Sequence, residues 1–76
     1  MKSDNNVTND ITKYDIPIYR KMNLTVKEAA AYSNIGENKI REMVTMPHCP
    51  FLLMSGRNIL IKRQAFEEYI ARKETI

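Results

Sequence analysis

Four residues, Ser33-Asn34-Ile35-Gly36, separate two segments of helical character, and no other feature restricts the chain as much. Asn tolerates left-handed backbone and Gly prefers special backbone angles, so these four predict a tight turn. Upstream, Thr25-Val26-Lys27-Glu28 fits the S/T-x-x-E capping box. The Thr25 hydroxyl accepts from the Glu28 amide, and the Glu28 carboxylate reaches back to the Thr25 amide. Leu24 precedes the cap and packs on Ala29 as a hydrophobic staple. The helix runs on through Ala29-Ala30-Ala31-Tyr32, where small side chains let another helix come close. Downstream, Gly36 is the expected N-cap and Glu37 sits at the positive end of the helix dipole. Ile40, Met43 and Val44 fall at i, i+3 and i+4 as one buried stripe. Asn38, Lys39, Arg41, Glu42 and Thr45 take the other side. Pro47 and Pro50 close this second helix, expected over Glu37 to Val44.

Two apolar runs follow, Phe51 to Met54 and Asn58 to Ile61. Ser55-Gly56-Arg57 joins them as a β-hairpin with Arg57 at its tip and Gly56 suited to positive φ. Lys62 and Arg63 leave the second strand, and a last helix carries Phe66, Tyr69 and Ile70 on one buried face. Before the first helix, Pro17 forces extended backbone, with Ile16, Ile18 and Tyr19 expected to anchor a short extended piece on the domain. Residues 1–14, rich in Asn, Thr and Asp, read as a flexible tail. Residues 15–76 are then one α+β domain, three helices with a two-stranded wing.

Size and charge narrow what such a domain does. Seventy-six residues, 43% hydrophobic and 28% charged, make one ordinary globular domain with a small core. That argues against a deep enclosed active site. The single cysteine, Cys49, excludes an internal disulfide, as is usual in cytosolic proteins. No apolar run reaches the roughly 18 residues of a membrane span, and MKSDNNVTND lacks the apolar stretch of a secretory signal. The expected setting is the cytoplasm, without a membrane partner. The net charge of +3 is unevenly placed. Between residues 20 and 63 eight cations face three carboxylates, a net of +5, while each flank carries −1. A domain that holds a polyanion in its centre has this distribution.

Two short helices across a tight turn form a helix-turn-helix, and the hairpin after them forms a wing. A major groove about 12 Å wide admits one α-helix, and the second helix offers its polar face there. The wing then reaches the flanking backbone or minor groove. The basic stretch found by charge is the stretch this fold sets against double-stranded DNA. Expected on the recognition helix are Glu37, Asn38, Lys39, Arg41 and Glu42; on the wing, Arg57 and Asn58. Arg20, Lys27, Lys62 and Arg63 are candidates for the DNA backbone.

Leu24 to Tyr32, the segment Ile35-Gly-Glu-Asn-Lys-Ile-Arg41 and Met54 to Arg63 together resemble the excisionase family of winged helix-turn-helix proteins. The likeness is closest to the small excisionases of conjugative transposons and runs from about Asp15 to Ile70. It implies a directionality factor rather than an enzyme. Such a factor binds near the ends of a mobile element in several cooperating copies and bends the DNA. It helps a tyrosine-family integrase to build the excision complex, here in bacterial cytoplasm on the nucleoid. Glu42 departs from the family, where a second basic residue often follows the first. A carboxylate there weakens the phosphate grip or shifts base preference, since Glu accepts from cytosine N4.

Two other readings compete. One is a winged-helix transcriptional regulator, although a MerR-type regulator needs a further domain for which a chain ending at Ile76 leaves no room. The other is a protein–protein module that docks a recombinase or repressor through Leu60 and the last helix. Leu60 alternates to the face opposite Ile59 and Ile61, where it would meet the N-terminal segment or a neighbouring copy. Catalysis and cofactors find no support. His48-Cys49 supplies two ligands where a structural zinc needs four. Adjacent side chains on extended chain diverge, which disfavours a Cys49 nucleophile. Tyr32 and Tyr69 fit helix faces expected to be buried and lack accompanying catalytic arginines and histidines. The five methionines read as core filler.

Overall fold

The computed structural model describes residues 15–76; the tail expected over 1–14 lies outside them. A 3-10 turn at Ile18–Arg20 leads into strand β1, Asn23–Leu24. Helix α1 spans Val26–Ser33 and helix α2 spans Glu37–Met43. Strands β2, Leu52–Ser55, and β3, Asn58–Lys62, form the hairpin, and helix α3 spans Arg63–Ala71. Among the described residues no helix is long and apolar enough to cross a membrane.

The local signals act as their chemistry requires. Thr25 Oγ1 accepts from the Glu28 amide at 3.0 Å, and the Thr25 amide donates to Glu28 Oε1 at 3.0 Å. α1 ends at Asn34, which takes left-handed backbone with φ 63°. Its amide bonds the Ala30 carbonyl at 2.9 Å, so the chain can turn without leaving that group unpaired. α2 is one residue shorter than the stripe suggested, because Val44 serves as its C-cap.

The sheet is antiparallel, in the order β1-β3-β2. It therefore has one strand more than the expected two-stranded wing. β1 pairs Asn23 with Lys62 and Leu24 with Ile61. Leu24 is thus more than a staple; it is a fully buried strand residue beside Ala29 in the core. The core joins Leu24, Val26 and Ala29 to Ile40, Met43 and Val44 of the second helix and its cap, and to Phe51, Ile61 and Phe66. Phe51 lies just before β2 rather than within it, edge-on to Phe66 at 5.1 Å and to Tyr69 at 5.3 Å between ring centroids. Burying a side chain such as Phe51 contributes roughly 1.5–3 kcal/mol. In a domain this small, two buried phenylalanines are a large share of the stability.

Three expectations about burial are corrected. Of the expected anchors Ile16, Ile18 and Tyr19, only Ile18 packs on the core; Ile16 and Tyr19 are exposed. The 3-10 turn at Ile18–Arg20 follows Pro17, so the segment is not extended throughout, and Tyr19 falls on the outer side of that turn. Tyr32 is exposed because it lies at the end of a short helix, where its hydroxyl donates to Glu67. Met22 and Met54 are also exposed, so the methionines are only partly core filler.

Candidate nucleic-acid interface

Burial of Ile40, Met43 and Val44 fixes which way α2 faces. At about 100° of rotation per residue, Asn38 and Glu42 point away from the core, and Thr45, just past the helix, is exposed as well. Arg41 lies on one side of that line and Lys39 on the other. Asn38, Arg41, Glu42 and Thr45 are exposed, and Lys39 and Glu37 are half-buried. Lys39 Nζ lies 3.3 Å from Glu42 Oε1, whereas no ion pair joins Glu37 to Arg41 among the described residues.

The wing is a tight hairpin. Ser55 pairs with Asn58, so the loop is only Gly56 and Arg57. Gly56 has φ 63°, and positive φ at the first of two loop residues is what a II′ hairpin turn requires. The turn leaves Arg57 at the tip, exposed.

Helix and wing meet across an open cleft of about 570 Å³. Lys27, Glu37, Arg41, Arg57 and Asn58 line it, and Leu60 closes part of its wall. Three cations there face one carboxylate, and no ion pair within 4 Å neutralises Lys27, Arg41 or Arg57 among the described residues. The cleft brings together positions thirty-one residues apart in the chain, Lys27 and Asn58. Leu60 is half-buried within this wall rather than standing out as a free docking residue.

The remaining basic candidates sit elsewhere. Arg20, Lys62 and Arg63 line a second cleft of about 590 Å³ with Met22 and Leu53, and no residue lines both clefts. Arg63 is held internally. Its Nε donates to the Lys21 carbonyl at 2.7 Å, and its NH1 donates to Glu67 at 3.1 Å. With 17% of its side chain exposed, its guanidinium is turned to the protein. Arg20 and Lys62 remain exposed.

A polar clamp ties α1 to the approach to β1 and to α3. Lys21 Nζ donates to Glu28 at 2.5 Å, and that bond, followed by the Thr25 amide, holds the Glu28 carboxyl below its ordinary value. The Glu67 carboxyl is likewise lowered, first by the Tyr32 hydroxyl and then by Arg63; the same bond pushes Tyr32 up. Sequence reasoning missed Lys21 and the Tyr32–Glu67 contact. These partners lie seven and thirty-five residues apart, beyond helical spacing. Thr45 was readable on the polar side of α2 but escaped the site. Its hydroxyl bonds the Glu42 carbonyl at 2.6 Å and completes the outer face. Among the described residues no group of three or more His, Cys, Asp or Glu side chains converges as a metal site would need.

A helix-turn-helix whose second helix shares an unpaired basic cleft with a hairpin wing defines a DNA-binding protein of the winged-helix class. Comparison with known proteins narrows this. The family described as the excisionase from transposon Tn916 matches residues 9–76. The chain is also 41% identical over 63 residues to the excisionase from transposon Tn916 of Streptococcus agalactiae serotype V, covering 82% of this chain and 94% of that relative. No solved structure matches it. The chain belongs to this excisionase family, and its work is to bind DNA and promote excision.

Proposed function

We propose that this chain acts without catalysis of its own, as an architectural partner of an integrase. Residues 15–76 form the DNA-binding unit. It sits near the ends of an integrated mobile element, with α2 in the major groove and the Gly56-Arg57 tip on the flanking backbone. Arg41 reads bases, and Lys27 and Arg57 hold phosphates. Several copies act on one end and bend it, and a tyrosine-family integrase breaks and rejoins the strands. The setting is bacterial cytoplasm, on the chromosome that carries the element.

The observation that supports this most is the cleft shared by α2 and the wing, lined by Lys27, Arg41 and Arg57. A duplex is met by two elements at once there, as winged readers meet it. A bend follows if helix and wing pull on successive stretches of backbone, and deforming the duplex costs less at flexible steps. The deciding experiment is excision of a minimal element by its integrase, with and without this protein. Excised circles should depend on the protein. Equal yields without it would overturn the reading. In a permuted-fragment gel, the complex should migrate according to where the site lies; uniform migration would remove the bend.

A further inference from the structure

The recognition helix carries no net charge. Lys39 and Arg41 are balanced by Glu37 and Glu42. The surplus cations of the cleft, Lys27 and Arg57, come from α1 and the wing. General phosphate attraction, which drives binding to any sequence, therefore gains nothing from the helix as a whole. Its charges form a pattern rather than a patch.

Glu42 is the informative member of that pattern. It points away from the core, and 72% of its side chain is exposed, so a groove that receives α2 receives this carboxylate. Phosphates on both sides of the groove repel it. A base must compensate by donating a hydrogen bond. Cytosine N4 offers a donor with no acceptor of its own beside it, whereas adenine N6 stands next to N7, which repels a carboxylate.

Lys39 supplies the other half. Its Nζ stands 3.3 Å from Glu42 Oε1, so the two present a donor and an acceptor side by side on the helix. On the major-groove edge of a C·G pair, cytosine N4 and guanine O6 are themselves a donor and an acceptor about 2.9 Å apart, the ordinary N–H···O length. The spacings match. We infer that Lys39 and Glu42 act as one unit that reads a single C·G base pair: Glu42 accepts from cytosine N4, and Lys39 donates to guanine O6 or N7. This rests on the placing of α2 in the major groove proposed above. The unit is oriented. A G·C pair puts its acceptor under the carboxylate and its donor under the ammonium, and a T·A pair puts a methyl group and O4 there. The ion pair also holds both side chains near their bound positions before DNA arrives.

The test is binding of the full chain to a set of duplexes in which each base pair of one element-end site is changed in turn. The wild type, Glu42→Gln, Lys39→Met and the charge-swapped Lys39→Glu/Glu42→Lys are compared at one salt concentration. At one position the wild type should prefer C·G by about tenfold or more. Glu42→Gln, which keeps an acceptor but gains a donor able to reach adenine N7, should relax that preference towards A·T and keep the others. The swapped chain should favour G·C at the same position. If Glu42→Gln instead changes affinity for every duplex by one factor, the pair reads nothing and the inference falls. If the wild type retards no element-end duplex at all, the placing of α2 in the groove fails first, which is a distinct result.

Discussion

Arg63 Nε donates to the Lys21 carbonyl at 2.7 Å and so ties the start of α3 to the approach to β1, forty-two residues earlier. The same guanidinium reaches Glu67, which in turn accepts from Tyr32 at the end of α1. One side chain therefore braces three parts of the fold. Arg63→Ala should lower unfolding free energy by about 1–2 kcal/mol, since it removes a charge-assisted bond to backbone in a mostly covered site. Arg63→Lys should recover little, because one ammonium cannot serve both partners with the guanidinium's geometry. Urea titrations measure this. Lys62→Ala, at an exposed neighbour, should leave stability within about 0.5 kcal/mol. Equal losses for Arg63 and Lys62 would contradict the brace.

The cleft makes a different demand on Arg57 and Arg41. Arg57 stands exposed at the tip of a two-residue loop and lines the cleft, where the proposed docking sets it against the duplex backbone. Arg57→Ala should weaken binding on every sequence and reduce the log–log salt slope by about 0.9, the amount for one lost phosphate contact. Arg41→Ala should also change which sequence is preferred, at a cost of about 1–3 kcal/mol for the base it reads. Gel shifts at several salt concentrations separate the two. An Arg57→Ala slope equal to that of the wild type would take the tip off the DNA.

Acid should loosen the clamp. Glu28 and Glu67 both have carboxyls held below the ordinary 4.5. A lowered folded value means that the unfolded chain binds the proton first as pH falls. The contribution is thus complete well above 4.5 and is lost as pH drops through the lowered values. Thermal unfolding should show melting temperature falling across that window. Glu28→Gln should flatten the fall and cost about 0.5–1 kcal/mol at neutral pH, the share of a partly exposed cap. Tyr32→Phe should reduce what remains of the fall. An acid response unchanged in both variants would mean that neither carboxyl is coupled to folding.

Much of this fold is legible in the chain because its signals are local. The capping box at Thr25 and Glu28, the left-handed Asn34 and the stripe Ile40, Met43 and Val44 each depend on neighbours within one or two helical turns. β1 was not legible: two residues are too few to show an alternating pattern, and their strand character comes from pairing with Ile61 and Lys62. The site divides the same way. Residues of α2 and the hairpin tip could be nominated from spacing. The separation of Lys27 from Arg20 and Arg63 into different clefts could not, because each cleft is built from segments far apart in the chain. His48 also takes left-handed backbone, φ 57°, between two prolines. Its residue type tolerates that geometry without announcing it.

The two glycines supply a last contrast. A side chain at Gly56 or at Gly36 would meet nothing within 4 Å, so crowding distinguishes neither. Backbone does. Gly56 has φ 63°, where an L side chain costs about 1–2 kcal/mol, whereas Gly36 caps α2 at φ −61° and ψ 150°, which any residue adopts. Gly56→Ala should therefore destabilise by about that amount, and Gly56→Asn by less, since Asn visits left-handed backbone more readily. Because the turn also aims Arg57, Gly56→Ala should weaken DNA binding even where the protein remains folded. Gly36→Ser adds a hydroxyl able to accept from the first turn of α2, whose N-cap has no side-chain bond. It should raise stability by a few tenths of a kcal/mol, about the difference between Ser and Gly at this position. Chemical denaturation of the three variants beside the wild type measures the stabilities, and a gel shift with folded Gly56→Ala measures the binding. A tolerated Gly56→Ala would mean that the wing turn relaxes, and a damaging Gly36→Ser that the end of α2 is held by more than its backbone.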